Sequence, residues 1–158
     1  MPSQESITEI FGLIDNRFAI DPGVEVILSE DGLTERELEG PRRESDTDKV
    51  FVYVYFEPTF SEGRALGRAG TRKRRETGIV QIHTIESKYT KQSRVVEVDD
   101  AIECEMLRAI EGQLLNHGVC LDQDLMESEK GIRRSGKVRG VTRLASYIRQ
   151  YTKQIDGS

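Results

Sequence analysis

The sequence of 158 residues contains no tryptophan, two cysteines, two histidines and four prolines. Cys104 and Cys120 do not form a C-x-x-C pair and have no histidine cluster beside them, so we expect two free, buried thiols in a reducing compartment and no disulfide or zinc site. No apolar run reaches the roughly 18 residues that span a bilayer, and residues 1–5 lack the start of a secretory signal. These absences predict a soluble protein that is made in the cytoplasm and does not contact a membrane.

Motifs of the common catalytic classes are absent too. The sequence has no P-loop, no nucleophile elbow and no zinc-ligand spacing. The segment Glu86–Lys88 matches the E-x-K element of metal-dependent nucleases, but the neighbouring strand offers no second carboxylate until Glu57 at its far end. We expect His83 on a sheet surface and His117 in the turn that ends a helix. We therefore predict no catalytic residue, no metal and no cofactor, and hence no enzymatic activity.

The composition is polar for a domain that folds alone. Hydrophobic residues make up 36% of the chain and charged residues 32%, which fits a thin domain with much surface or a subunit that is completed by assembly. The length fits a single domain over residues 1–158. The net charge of −5 argues against a general polyanion binder, because the positive charge is concentrated in one segment.

Two segments of opposite charge differ from the rest of the chain. Residues 64–75 contain six cations and no acid. Residues 30–48 contain eight acids, three arginines and almost nothing apolar, which predicts an acidic insertion loop over residues 29–49. The candidate partner-binding cations are Arg64, Arg68, Arg72, Lys73, Arg74 and Arg75. The candidate acidic counter-surface consists of Glu35, Glu37, Glu39, Glu44, Asp46 and Asp48.

Helical periodicity occurs twice. Apolar residues at i, i+3, i+4 and i+7 predict an amphipathic helix over about Ser6–Phe18, which Ser6 would begin as the first residue of a capping box. A second helix is expected to begin at Asp99 or Asp100 as its N-cap and to end near Asn116.

Short runs of β-branched and aromatic residues predict the strands. Val24–Leu28, Val50–Phe56 and Ile79–Ile85 are such runs, and a further strand begins at Val119. The run 140–152 fits a helix and a twisted strand equally well, and its structure stays open. The order α-β-β-β-α-β-β predicts an α+β fold, in which two helices pack on a mostly antiparallel sheet of four to five strands. Residues 57–77 would form a long basic β-hairpin loop between two core strands.

The central part of the chain resembles the tail terminator, or tail completion, proteins of long-tailed bacteriophages. The resemblance is carried by an apolar strand (Val50–Val54), a glycine-containing segment (Arg64–Gly67), and a basic patch that leads into a T-G-ϕ-ϕ-x-ϕ strand, where ϕ is apolar (Thr71–Ile82). The N-terminal helix, the helix after the third strand and a closing hairpin also fall in the family's order. The acidic insertion is longer and more charged than the corresponding loop of the family.

The resemblance implies a structural virion protein and not an enzyme. Such a protein forms a hexameric ring on the last ring of tail-tube subunits, ends tube polymerisation and provides the surface that docks to the head. It would be assembled in the cytoplasm of the bacterial host and would lie at the head-proximal end of the tail. Its partners would be further copies of itself, the tail tube protein and a head-completion or neck protein, while DNA passes through the ring without specific binding.

Two alternatives use the same residues. The chain could be another head–tail connector or neck protein, or a DNA-binding protein whose basic β-ribbon arm contacts phosphates. The negative net charge argues against DNA binding, since six cations neutralise only a few phosphates. Three negative partners are available to the basic segment, namely DNA, the tube ring and the acidic segment of a neighbouring subunit. We expect the tube ring, because charge complementarity favours fast and correctly oriented docking.

Overall fold

The computed structural model describes residues 2–29, 49–57, 60–66, 71–87, 90–112, 115–128, 133–135 and 138–154. Within these residues the chain forms two helices and seven strands. In chain order the elements are α1 (Gln4–Arg17), β1 (Val24–Ser29), β2 (Val50–Phe56), β3 (Phe60–Leu66), β4 (Thr71–Ser87), α2 (Val95–Gly112), β5 (Val119–Ser128), β6 (Arg133–Ser135) and β7 (Val138–Gln154). Neither of these two helices is long and apolar enough to cross a membrane.

The sheet is built on one long pair of strands, β4 and β7. They pair antiparallel over their whole length, from Thr71 opposite Gln154 to Ser87 opposite Val138. On the other side of β4, β3 pairs with its first part and β2 with its last part. On the other side of β7, β6 and β5 follow one another in the same way. Only β1, which joins β2, is parallel to its neighbour among the described strands, so the fold is α+β with a mostly antiparallel sheet, as predicted.

One face of the sheet is buried beneath the two helices. In β2 every second residue from Val50 to Phe56 is buried, and Val80 and Ile82 continue this face on β4. The completely buried side chains that the helices contribute to the core are Ile10, Ile14, Ile102 and Met106. Burying one such side chain contributes about 1.5–3 kcal/mol, so this apolar layer holds both helices on the sheet.

The first helix begins earlier than predicted and has a different cap. The Oγ of Ser3 accepts a hydrogen bond from the backbone N–H of Ser6 at 3.3 Å, so Ser3 and not Ser6 is the N-cap. Glu9, the expected second member of the capping box, instead accepts a hydrogen bond from the backbone N–H of Asn116 at 2.6 Å. The capping-box spacing is therefore coincidental, because Ser6 is buried inside the helix and Glu9 has a tertiary partner.

The second helix also begins earlier, at Val95 and not at Asp99 or Asp100. Its start is fixed by the sheet, since the completely buried carboxylate of Glu86 accepts a hydrogen bond from the backbone N–H of Arg94 at 3.1 Å. Asp99 lies inside the helix and is buried. Because the start of this helix depends on a carboxylate in β4, the sequence around Val95 does not indicate it.

The segment that stayed open, residues 140–152, is a strand and belongs to β7. Its odd-numbered residues from Val141 to Tyr147 are buried, and its even-numbered residues lie on the opposite face. Leu144 and Ile148 fit a helical spacing, but both belong to this second face of the strand. The pairing with β4 along the whole segment decides the structure.

The predicted basic hairpin is present, but its strands extend further into the segment than expected. β3 pairs antiparallel with the first part of β4, and the end of β7 pairs with the other side of the same stretch. We call this three-stranded part of the sheet the basic arm, which comprises β3, residues 71–77 of β4 and residues 148–154 of β7. Glycines and cations favour a loop locally, but pairing on both sides of β4 outweighs that preference.

Two further expectations concern the surface. Cys104 and Cys120 are free, as expected, but both are exposed and not buried. Cys120 lies on the helix-free side of β5, because the residues before and after it, Val119 and Leu121, are buried on the other side. The predicted acidic counter-surface over residues 35–48 lies outside the described residues.

Candidate interaction surface

The basic arm contains five of the six predicted partner-binding cations. Arg64 belongs to β3, and the four consecutive residues 72–75 belong to β4, whereas Arg68 lies outside the described residues. Because neighbouring residues of a strand point to opposite faces, Arg74 and Arg75 give both faces of the arm a positive charge. The structure therefore gathers these cations on a paired strand and not on a loop.

Arg74 and Arg75 form no ion pair with the described side chains, although Glu62 of β3 lies opposite Arg75 in the strand register. Arg74 lies opposite Gly63 of β3 and Tyr151 of β7, and both arginines are half-buried. The Nε atom of each guanidinium group is buried without a hydrogen-bond partner in these residues. A buried donor without an acceptor costs roughly 1–3 kcal/mol, so these two guanidinium groups do not stabilise the isolated chain through their Nε atoms.

Two residues of this surface, Arg149 and Tyr151 of β7, were not predicted. The guanidinium carbon of Arg149 lies 4.2 Å from the centre of the Tyr151 ring. Its Nε donates a hydrogen bond to the carbonyl oxygen of His117 at 3.0 Å, and its Nη1 lies 3.6 Å from a carboxylate oxygen of Glu5. Arg149 thus connects the arm to α1 and to the turn before β5. This cluster follows from the register of β7. The sequence alone did not decide whether residues 140–152 form a helix or a strand.

A buried polar pair, Glu76 and Tyr147, lies at the base of the arm. The hydroxyl of Tyr147 donates to Oε1 of Glu76 at 3.3 Å, and the backbone N–H of Ser3 donates to the same oxygen at 3.0 Å. Burial, together with the charge and hydrogen bond of Glu76, raises the pKa of the Tyr147 phenol, which therefore stays protonated and continues to donate. The Tyr147 ring meets Phe56 edge-on, with 6.0 Å between ring centres. These contacts fix the arm to the body of the domain.

The outer side of α2 carries the opposite charge. The helix contains six acids and one arginine, of which Asp99 and Glu103 pair with Arg143 of the sheet. Exposed residues recur along α2 at a spacing of three or four, and we call them the acidic stripe: Glu97, Asp100, Cys104, Arg108 and Glu111. The Arg108 guanidinium group lies 3.1 Å from Glu105, which compensates its charge. Glu97 in turn lies 3.6 Å from Arg94, so the negative charge of the stripe comes from Asp100 and Glu111.

The face of the sheet that carries no helix has large apolar side chains around a polar centre. His83 lies there, as predicted, with Nε2 3.0 Å from Oε1 of Gln81 and Nδ1 3.0 Å from Oγ1 of Thr142. These polar groups thus find partners within the face itself. The large side chains around them, of which the last two are 40% and 39% exposed, are Phe51, Tyr53, Tyr55, Ile79 and Leu144.

Glu86, the carboxylate of the partial nuclease motif, is fully engaged within the fold. Its Oε1 accepts hydrogen bonds from Oγ of Ser93 at 2.5 Å and from Nε of Arg139 at 2.6 Å, and its Oε2 accepts one from the backbone N–H of Arg94. The described residues contain no group of side chains that could hold a metal ion. Glu86 therefore anchors the connection between β4 and α2 and has no oxygen to offer to a cation.

Comparison with known proteins adds information on the fold. No family model matches the chain, and no curated protein matches it. A solved structure superposes on it with a TM-score of 0.55 at 17% sequence identity, covering 96% of this chain and 98% of that chain. The name of that protein is a sequence identifier and states no function. At this identity the likeness shows that the two chains share a fold, and nothing more.

Proposed function

We propose that the chain is a tail terminator, a structural virion protein without enzymatic activity. Six copies would form a ring on the finished tail tube, end its polymerisation and provide the surface that docks to the head. The observation that carries the proposal is that the segment of sequence resemblance, Val50–Ile82, contains two of the three strands of the basic arm, β3 and the first part of β4. Residues 72–75 of this arm are four consecutive cations, and Arg74 and Arg75 have buried Nε atoms without a hydrogen-bond partner among the described residues.

The distribution of surfaces supports a subunit of a ring. A closed ring with head-to-tail contacts needs two different surfaces on each copy that complement one another. This domain has a basic arm, an acidic stripe on α2 and an apolar helix-free face, all on different sides or ends of the fold. The helix-free face has exposed apolar side chains, Ile79 and Leu144, which a partner in an assembly would cover.

The proposal places the protein at the head-proximal end of the tail, after assembly in the host cytoplasm. Its partners are further copies of itself, the tail tube protein on one side and a head-completion or neck protein on the other. DNA passes through the ring without specific binding, because a cationic channel wall would retain phosphates through counterion release. The basic arm therefore contacts protein in this arrangement.

A second candidate, a DNA-binding protein with a basic β-ribbon arm, is favoured by one observation. Four consecutive cations lie on β4 beside Tyr151, and cations next to an aromatic ring suit phosphates and bases. Retention of the protein on DNA that falls steeply with salt, from a small oligomer, would favour this candidate. A ring without affinity for DNA would exclude it.

Electron microscopy of the purified protein, combined with a tail-length assay, tests the proposal. We expect six-fold rings, and overlong tails in cells that lack a functional copy of the chain. Rings together with tails of normal length would favour a different head–tail connector or neck protein. The absence of rings both in solution and on the ends of isolated tails would contradict the proposal.

A further inference from the structure

We infer that the basic arm of one copy docks on the acidic stripe of α2 in the next copy. Both surfaces are present in every copy and belong to different elements, which is the arrangement that a head-to-tail contact requires. The inference deepens the proposed function by naming the contact that joins neighbouring subunits. The inference rests on the proposed function in one respect: both require that identical copies assemble.

The charges of the two surfaces are complementary. The first five residues of β4, Thr71–Arg75, include four cations and no acid, and the two whose side chains are described, Arg74 and Arg75, form no ion pair with the described residues. Asp100 and Glu111 of the stripe are exposed and likewise form no ion pair within that part of the chain. Within the described part of one copy, these cations of the arm and these acids of the stripe form no ion pairs. The arm of one copy therefore supplies the positive charge, and the stripe of the next copy the negative charge.

An arm cannot reach the first half of the stripe in its own copy. Asp99, next to Asp100, is bound to Arg143, which lies opposite Ile82 of β4. Thr71 at the end of the arm precedes Ile82 by eleven residues, a distance of about 36 Å at roughly 3.3 Å per residue of a strand. A neutralising contact between the end of the arm and Asp100 therefore has to come from another copy.

The stripe is a better-supported partner for the arm than the tube ring, the partner expected from charge complementarity alone. Asp100 and Glu111 of the stripe are exposed on the surface of this fold, and Cys104 between them is exposed too. Complementary charge would speed the encounter of copies and fix their orientation. The apolar helix-free face then stays available for the tube or for a head-side partner.

Single-cysteine chains test the contact directly. One chain carries Lys73→Cys in the arm with both native cysteines changed to serine, and a second, longer-tagged chain retains only Cys104. After mixing and mild oxidation, we expect a disulfide-linked heterodimer whose yield falls at about 0.5 M salt, where the Debye length shrinks below about 5 Å. No disulfide can form within a chain, because each chain carries one thiol. The matched control is a second chain that retains only Cys120, on the helix-free face, and it should cross-link little.

Charge exchange provides an independent test, because misfolded variants would not regain association when both surfaces are reversed together. Arg72→Glu with Lys73→Glu in the arm should weaken self-association about tenfold, as two reversed exposed pairs would do. Asp100→Lys with Glu111→Lys in the stripe should have the same effect. The combination of all four substitutions should restore association. Failure of the combined variant to recover, when it unfolds as cooperatively as the wild type, would overturn the inference.

The outcomes separate this contact from the proposed function. Equal cross-linking to Cys104 and Cys120, or to neither, overturns the arm–stripe contact and leaves the ring to be judged by microscopy. If copies associate through the arm and the stripe but do not limit tail length, the contact is supported and the proposed function is contradicted. Arm variants that lose affinity for DNA while self-association is unchanged would assign the arm to DNA and overturn the inference.

Discussion

Arg143 of β7 donates two hydrogen bonds to Asp99 of α2, from Nε to Oδ1 at 3.1 Å and from Nη2 to Oδ2 at 2.9 Å. The two side chains are only 3% and 6% exposed. Nη2 also lies 2.9 Å from Oε2 of Glu103. Burial alone would lower the pKa of Arg143, but the hydrogen bonds and charges of Asp99 and Glu103 outweigh it and raise the pKa. The guanidinium group therefore stays charged and ties α2 to the sheet.

Removal of this arginine should destabilise the fold strongly. Arg143→Ala removes both hydrogen bonds that Arg143 donates to the buried carboxylate of Asp99, and breaking a buried ion pair in this way typically costs about 3–5 kcal/mol. The free energy of unfolding from urea titration measures this loss. A loss below about 1 kcal/mol would show that water or another donor replaces Arg143, contrary to the geometry described.

The matched control replaces both partners at once. Arg143→Met combined with Asp99→Leu leaves no buried charge, and exchanging a buried ion pair for apolar side chains of similar volume is often neutral. The double variant should therefore be clearly more stable than Arg143→Ala. If both variants lose the same free energy, the cost comes from lost packing and not from the unpaired carboxylate.

Gly78 is predicted to tolerate no side chain as long as Tyr147 is present. The two residues lie opposite one another on β4 and β7, and a Cβ at position 78 would lie 2.6 Å from Cζ and Oη of Tyr147. Gly78→Ala should displace the ring from its contact with Glu76 and cost about 1–3 kcal/mol. In a Tyr147→Leu background the same change should cost much less, and the double-mutant cycle measures this coupling. Equal costs in both backgrounds would contradict the prediction.

Runs of β-branched and aromatic residues allowed the core strands to be predicted. Val50–Phe56 is such a run, and its alternating burial follows directly from the strand period. The strands of the basic arm have no comparable signal, because glycines and cations fill residues 60–75. They are strands because residues 148–154 of β7, more than 70 residues later in the chain, pair with residues 71–77 of β4. Pairing between strands so far apart in the chain cannot be predicted from the local sequence.

The acidic stripe and the helix boundaries were missed for a related reason. The residue pattern of α2 identified a helix, but its start depends on buried Glu86, which holds the backbone of Arg94. Asp99 looked like an N-cap because aspartate is common there, and only its distance to Arg143 identifies it as a buried partner. The cations of the arm, by contrast, were recognised from the sequence, since a dense run of one charge is a local property.

Acid should remove a contribution that Asp21 makes to stability. Its Oδ2 accepts a hydrogen bond from Nη2 of Arg94 at 2.9 Å, and its Oδ1 accepts one from the backbone N–H of Gly23. The bond to Arg94, followed by the bond to Gly23, lowers the pKa of Asp21 below its ordinary value of 3.8. A carboxyl with a lowered pKa stabilises the fold above the pKa of the unfolded chain, and this stabilisation is lost as the pH falls through the folded value.

Comparison of the wild type with Asp21→Asn isolates this contribution. The difference in free energy of unfolding should be constant above about pH 5 and below about 1 kcal/mol, because the pair is partly exposed. It should shrink as the pH falls below 3.8, the ordinary value. In an Arg94→Gln background the pH dependence of this difference should be largely lost. A difference that grows in acid would contradict the sign of the pKa shift.

The basic arm should be needed for assembly but not for folding. Changing residues 72–75 to serine removes four cations, and for Arg74 and Arg75 it also removes buried donors that have no acceptor among the described residues. The free energy of unfolding should therefore change little, whereas subunit contacts and tail capping should fail, giving overlong tails. The matched control changes three exposed or partly exposed cations outside the arm and the stripe to serine, Arg17, Lys49 and Lys91, and should cap tails normally. Tails of normal length from the folded arm variant would show that the arm is not needed for the function proposed for this chain. A defect confined to DNA ejection would place the charges of the arm along the DNA channel.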